Sequence, residues 1–134
     1  ALYSEAEFCA FTPVEEGFGY APLEAMQAGR PVLASRLPVF RWSMGDAALF
    51  ADPYNIGEIS AQMERLLDAP ENAETRAALV AASKPVVERF SPAAIEPLWR
   101  GFFQDDFYRL RERLAAARTG ARTRPLPVGR PAVS

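Results

Sequence analysis

The stretch Glu16-Gly17-Phe18-Gly19-Tyr20-Ala21-Pro22-Leu23-Glu24-Ala25-Met26 decides how this chain reads. Gly17 and Gly19 permit positive φ and let a ligand come close to the main chain. A helix is expected from about Ala21 to Ala28, with Pro22 suited to its first turn and Gly29 ending it. A glycine loop that feeds a helix N-terminus presents unpaired N–H groups and the positive end of the helix dipole, a setting that favours an anion such as a phosphate. Glu24 is expected in that helix's first turn, where its carboxylate is stabilised. A carboxylate there can also accept hydrogen bonds from the two vicinal hydroxyls of a ribose, each worth about 1.5–3 kcal/mol. Glu16, ahead of the glycines, is placed to reach a second polyol, namely a sugar. Together the two carboxylates, the glycine loop and the helix start make an arrangement suited to a sugar nucleotide. The plainer alternative is a pair of surface carboxylates, Glu24 gaining roughly 0.3–1 kcal/mol from the helix dipole.

Working outward, Glu7 to Thr12 reads as a short buried strand and Pro31 to Ser35 as a second one. Strand, loop, helix and strand in that order belong to a parallel sheet with crossover connections. A loop through Met44-Gly45-Asp46 is expected next, with Asp46 as a turn residue, and then a third strand over Ala47–Ala51 that Asp52-Pro53 stops. Asn55 can cap a following helix, with Glu58 completing a capping-box-like pair. Ile59, Met63, Leu66 and Leu67 give that helix one apolar face, ending near Asp68. A further helix is expected from Glu71 to Ala82, with Pro85 breaking or restarting it before Phe90. After Ser91-Pro92 come Ile95, Leu98, Trp99, Phe102 and Phe103, an apolar helical stripe expected to pack as core, with Pro97 inside it. A last helix is expected over 106–118 and an Arg/Pro-rich disordered tail over 119–134.

The 134 residues suit one domain with a modest core, and 49% hydrophobic with 24% charged residues is ordinary for a globular chain. The chain has no His and a single Cys. That excludes a structural zinc site and a His-based triad built from these residues alone. Cys9, in the run Phe8-Cys9-Ala10-Phe11, is expected to be a buried small hydrophobe. Residues 1–106 carry sixteen acidic against eight basic side chains, whereas residues 107–134 carry seven Arg against Glu112. The basic end reads as a solvated helix end and tail, with no nucleic-acid partner expected; peripheral contact with the inner face of a membrane stays open as the alternative. Arg30, Arg36 and Arg41 could face a cleft, with surface solvation the default. No signal peptide or membrane-spanning run is visible, and a cytoplasmic location is expected.

Glu16 and Glu24, separated by seven residues, resemble the Glu-x7-Glu motif of the retaining glycosyltransferases known as group 1 or family 4. The family's usual run is close to Glu-Gly-Phe-Gly-Leu-Pro-x-Leu-Glu-Ala-Met-Ala-x-Gly-x-Pro-Val. This chain has Glu16-Gly17-Phe18-Gly19, then Leu23-Glu24-Ala25-Met26, then Gly29 and Pro31-Val32. Gly45-Asp46-Ala47-Ala48-Leu49 and Asp52-Pro53 resemble the family's next segment, so the likeness covers roughly residues 2–105. Tyr20-Ala21 stands where Leu-Pro is common, and Thr12-Pro13-Val14-Glu15 departs from the usual approach to the first Glu. These departures touch the walls of the site more than its ligands.

The resemblance implies an α/β fold: a Rossmann-like partial parallel sheet with flanking helices, the later half of the C-terminal lobe of a GT-B enzyme, with a helical C-terminal end. It implies residues 1–105 as that partial nucleotide-sugar-binding lobe. Glu16 would hold the catalytic position against hydroxyls of the donor sugar, and Glu24 would hold the ribose. Backbone amides around Gly17, Phe18, Gly19 and Leu23 would contact the sugar or the diphosphate. The implied reaction is transfer from a UDP- or GDP-sugar to a glycan or lipid acceptor with retention, by front-face substitution without a protein nucleophile, a metal or another cofactor. In that family the cations facing the diphosphate, the base-binding loop and the N-terminal acceptor lobe lie upstream of this segment. The chain is therefore expected to belong to a longer enzyme and to be inactive alone; separately, Arg outnumbers Lys fourteen to one, a composition that points to a bacterial source. The alternatives are a stand-alone nucleotide-binding or interaction module, and another GT-B sugar-nucleotide enzyme such as an epimerase.

Overall fold

A computed structural model describes residues 2–118, without the side chains of residues 104–106. The expected tail over 119–134 lies outside the described residues. The chain forms two compact units that divide between Ser91 and Pro92.

The first unit opens with helix α1 (Leu2–Glu5) and strand β1 (Cys9–Phe11), followed by α2 (Tyr20–Gln27), β2 (Val32–Ser35), α3 (Pro38–Met44), a 3-10 turn (Gly45–Ala47) and β3 (Leu49–Ala51). It continues with α4 (Ile56–Glu64), a second 3-10 turn (Pro70–Asn72) and α5 (Ala73–Arg89). The strands form a three-stranded sheet in the order β1-β2-β3. Both pairings are parallel, with Cys9 opposite Val32 and Leu33 opposite Leu49. This is the parallel sheet that the strand–loop–helix–strand order predicts, and the α/β fold with a partial Rossmann-like sheet that the family resemblance implies.

The central strand β2 is buried at every residue because both faces of the sheet are covered there, whereas the edge strand β1 is only partly buried. Val32, Ala34 and Phe50 point into one cluster with Leu23, Ala25, Met26, Phe40 and Met44, and Ala82, Val86, Val87 and Phe90 pack onto it. Leu33 and Ala51 point the other way, into a cluster with Leu66 and Leu79. Successive residues of a strand thus feed opposite cores, as the two-residue period of a strand requires. Cys9 is partly buried beside the first cluster, so it packs as the small hydrophobe that its neighbours suggest.

Three elements differ from the sequence expectation. The segment before Gly45 is not a plain loop: Leu37 starts α3, with Pro38 at its first position, where the missing N–H costs nothing. α4 ends at Glu64, ahead of Asp68, and of its expected apolar face only Leu66 is fully buried; Met63 and Leu67 are exposed. α5 runs unbroken through Pro85 to Arg89. A proline inside a helix forfeits one backbone hydrogen bond. Here the helix continues because Ala82, Val86, Val87 and Phe90, on both sides of Pro85, are packed onto the core.

Asn55 caps α4 as expected, accepting the Glu58 N–H at 3.0 Å on its side chain. The reciprocal half of a capping box is absent. The Glu58 carboxylate instead accepts from the Asp52 N–H at 2.9 Å and pairs with Arg36.

The second unit runs through α6 (Pro92–Gly101), a π-helical stretch (Phe102–Phe107) and α7 (Tyr108–Arg118). Pro97 lies inside α6 without ending it. The aromatic stripe is not a buried core: Leu98, Trp99, Phe102 and Phe103 are all exposed. They pack on one another instead, with Trp99 stacked on Phe103 at 5.6 Å and Phe102 edge-on to Phe103 at 5.3 Å. The described residues of this unit form one run of helix, which by itself offers the stripe no second layer. Among the described residues, no helix is long and apolar enough to cross a membrane.

Candidate functional site

In an open parallel sheet, ligands bind outside the carboxyl ends of the strands. At that edge the loop 12–19 leaves β1, Arg36-Leu37 leaves β2 and Asp52–Asn55 leaves β3. Side chains tie these exits together. The hydroxyl of Ser35, fully buried at the end of β2, donates to the Pro13 carbonyl. The Arg36 N–H donates to the Ala51 carbonyl at 2.8 Å, and Glu58 holds both Arg36 and the Asp52 N–H. The loop carrying Glu16 is therefore fastened to the sheet at its start.

Its far end is fastened by Gly19. This residue adopts the left-handed conformation, φ +87°, and serves as the N-cap of α2 with no side-chain cap bond. Gly17 takes no positive φ, and a β carbon there would meet nothing within 4 Å. Of the two glycines, only Gly19 is demanded by the backbone; Gly17 leaves open space beside the main chain. Between them, the partly buried Phe18 packs on Tyr20 at 4.8 Å and edge-on to Phe90 at 5.3 Å, which anchors the middle of the loop.

Glu16 is exposed, and one of its oxygens, Oε1, accepts the N–H of Gly17 at 2.8 Å and that of Phe18 at 3.3 Å. Two successive amides converging on one oxygen form a small anion-holding concavity. Because α2 begins at Tyr20, Glu24 falls in its second turn, not its first. The macrodipole effect fades beyond the first turn, so the expected dipole contribution to Glu24 does not apply. Glu24 is exposed, five residues and so about 7.5 Å along the axis from Gly19. Leu23 is buried at 8% exposure in the main core and pins the helix to the sheet. Its amide is the first that the helix's own hydrogen bonds claim. With Pro22 lacking an N–H, the free donors at this helix start are Gly19, Tyr20 and Ala21.

The end of α2 is built as firmly as its start. The Gly29 N–H donates to the Met26 carbonyl at 2.9 Å and the Arg30 N–H to that of Ala25 at 3.0 Å, with Gly29 at φ +72°. That pair of bonds is a Schellman closure, which explains why Gly29 ends the helix.

Two contributors escape the sequence pattern. The Tyr3 hydroxyl, from α1, donates to Glu24 Oε2 at 3.2 Å. Phe40, from α3, is fully buried directly beneath Gly19. Tyr3 lies twenty-one residues from Glu24, and no local spacing signals that contact. Arg30, Arg36 and Arg41 do not gather at the loop. Arg30 bonds the Ser4 carbonyl, Arg36 pairs with Glu58, and Arg41 lies over the Phe50 ring at 4.9 Å. Cavities of about 340 and 420 Å³ lie between the end of α2 and α5, and they touch neither Glu16 nor Glu24.

Comparison with known proteins matches this frame. The family model described as glycosyl transferases group 1 matches residues 1–85. The chain is 40% identical over 52 residues to the O-antigen chain mannosyltransferase RfbU of Salmonella typhimurium, covering 39% of this chain and 15% of that protein. It is 37% identical over 73 residues to the MMP alpha-(1->4)-mannosyltransferase of Mycolicibacterium hassiacum, covering 52% of this chain and 18% of that protein. Among solved structures it is similar to the sucrose-phosphate synthase of Thermosynechococcus elongatus, with a TM-score of 0.62 and 27% identity, over 76% of this chain and 27% of that one. The chain thus spans less than a fifth of the length of these two curated relatives. With its glycine loop, its two carboxylates and its parallel sheet, the chain belongs to the group 1 glycosyl transferases.

Proposed function

We propose that this chain supplies the donor-holding part of a retaining glycosyltransferase whose donor is a UDP- or GDP-sugar and whose acceptor is a glycan or a lipid. Glu24 accepts hydrogen bonds from the ribose hydroxyls, and Glu16 contacts hydroxyls of the transferred sugar. The observation that carries the reading is the convergence of the Gly17 and Phe18 amides on a single oxygen. In the structure that oxygen is Oε1 of Glu16. With donor present, a phosphate or sugar oxygen takes its place, and the released carboxylate turns toward the sugar. A charge-assisted bond from backbone N–H to such an oxygen strengthens as negative charge develops on the leaving diphosphate.

The reading assigns neutralisation of the diphosphate to cations outside this chain, since Arg30, Arg36 and Arg41 are engaged elsewhere. It involves no metal. Transfer also needs an acceptor held beside the donor, which makes an N-terminal lobe a required partner and the chain inactive alone. Two relatives are named mannosyltransferases, so GDP-mannose is the first donor to test.

The test is a nuclear magnetic resonance titration of the chain with UDP- and GDP-sugars. Shifts should concentrate at residues 16–24, and Glu24→Ala and Glu16→Ala should each weaken binding. If no sugar nucleotide perturbs these residues, the donor-site reading is wrong. Robust turnover by the chain alone with a defined acceptor would show that the reading of an incomplete enzyme is wrong.

A further inference from the structure

We propose that Tyr3 is a positioning residue for the nucleotide ribose, acting through Glu24; this rests on the donor-site reading above. Glu24 projects from the second turn of a helix and is exposed. A glutamate side chain so placed samples many rotamers, and ordering it for a ligand costs entropy. The Tyr3 hydroxyl removes part of that cost before the ligand arrives, by donating to Oε2 at 3.2 Å. With Oε2 held, the direction in which Oε1 faces is set. A carboxylate has about four lone-pair sites, so Oε2 can accept from Tyr3 and from a ribose hydroxyl together.

The placement of Tyr3 is itself built. Its ring packs against the main core cluster. The Schellman closure at Gly29 turns the chain so that Arg30 reaches back, and Arg30 Nη2 donates to the Ser4 carbonyl at 2.8 Å. α1 is thereby stapled to the far end of the helix that carries Glu24. Partial burial and the neighbouring Glu24 carboxylate push the Tyr3 phenol pKa up, so the hydroxyl stays protonated and stays a donor at neutral pH. The same contact makes Tyr3 sensitive to what Glu24 binds, because a ribose on Oε1 and Oε2 redistributes the charge that the phenol sees.

The experiment compares the unmodified chain with Tyr3→Phe, Glu24→Ala and the double variant, using UDP and GDP and their 2′,3′-dideoxy counterparts as probes in nuclear magnetic resonance titrations. Tyr3→Phe keeps the ring and its packing, so the thermal midpoint should stay put. It should weaken ribonucleotide binding by about three- to tenfold, the loss expected for one hydrogen bond. It should leave dideoxynucleotide binding unchanged and have no effect once Glu24 is Ala. A merely structural Tyr3 would weaken both kinds of nucleotide alike, and that result overturns the proposal. So does unchanged ribonucleotide affinity in Tyr3→Phe when Glu24→Ala does weaken it, and in that case the donor-site reading survives. If Glu24→Ala itself has no effect on ribonucleotide affinity, or the unmodified chain binds no nucleotide, the ribose assignment fails and Tyr3 falls with it.

Discussion

Gly19 lies so close against the ring of Phe40 that a β carbon on the glycine would overlap Phe40 Cε1 and crowd Cδ1. Phe40 is fully buried and cannot swing away. Gly19→Ala therefore combines a left-handed backbone strain of about 1–3 kcal/mol with an overpacking cost of similar size. A destabilisation on the order of 2–6 kcal/mol is expected in urea unfolding. Gly17→Ala is the control: its φ is not positive and nothing lies in the way. Its stability should be unchanged or raised by about 0.4–1 kcal/mol. Equal losses at the two glycines would mean that Phe40 does not hold the loop.

The contrast shows what the sequence displays and what it hides. Glycine, proline and carboxylate spacing in residues 16–29 is local chemistry, and it locates the loop, the helix and its Gly29 ending. The parallel sheet follows too, because short apolar strands alternating with helices have few other arrangements. Which of the two glycines needs its freedom is not local: it depends on Phe40, twenty-one positions later, coming to rest under Gly19. The Tyr3 partner of Glu24 is hidden for the same reason. Pro85 misleads because tertiary packing on both of its sides outweighs one lost hydrogen bond. Trp99 to Phe103 mislead because an apolar stripe says only that burial is favourable, not that a second layer stands opposite.

Asn55 supplies a test of how the β3 exit is held. Its side-chain oxygen accepts the Glu58 N–H at 3.0 Å, and Glu58 in turn holds the Asp52 N–H and Arg36. Asn55→Ala should cost about 1 kcal/mol, with Asn55→Asp close to neutral, because Asp caps as well as Asn does. Since the cap orders the turn from which Glu58 extends, the Asp52 amide should also exchange with solvent faster in Asn55→Ala. Unchanged exchange at Asp52 would show that Glu58 keeps its place without the cap.

Cys9 gives a pH dependence whose sign can be worked out. Partial burial raises its thiol pKa, while Arg30 pulls weakly the other way. The neutral thiol is thus favoured in the folded chain, and its contribution to stability is fully present below the unfolded thiol's pKa. That contribution is lost as pH rises through the raised folded value. At pH 8, alkylation of Cys9 should be several-fold slower in the folded chain than in urea, because the thiolate is the nucleophile. Cys9→Ser puts a hydroxyl beside the apolar cluster and should destabilise the fold by about 1–3 kcal/mol. A folded-state alkylation rate equal to the unfolded one would refute the assignment of Cys9 as a packed hydrophobe.

Arg89 joins the last helix of the first unit to the loop's support. Its guanidinium donates to the carbonyls of Trp42 and Ser43, in the last turn of α3, and lies over the rings of Trp42 and Phe90 at 5.5 and 4.6 Å. A cation at a helix C-terminus satisfies orphan carbonyls and complements the dipole. Arg89→Ala should therefore cost about 1–2 kcal/mol. Arg89→Lys should recover less than half of it, because a single nitrogen, Nη2, makes both bonds while the planar guanidinium lies over Trp42 and Phe90, and an ammonium has no planar face to stack there. The consequence reaches further than stability. α3 carries Phe40, and Phe40 supports Gly19, so loosening α3 should raise amide exchange at residues 17–20. Amide exchange at 17–20 that stays at the unmodified rate in Arg89→Ala, with α3 itself exchanging faster, would show that the loop holds its shape without help from that helix.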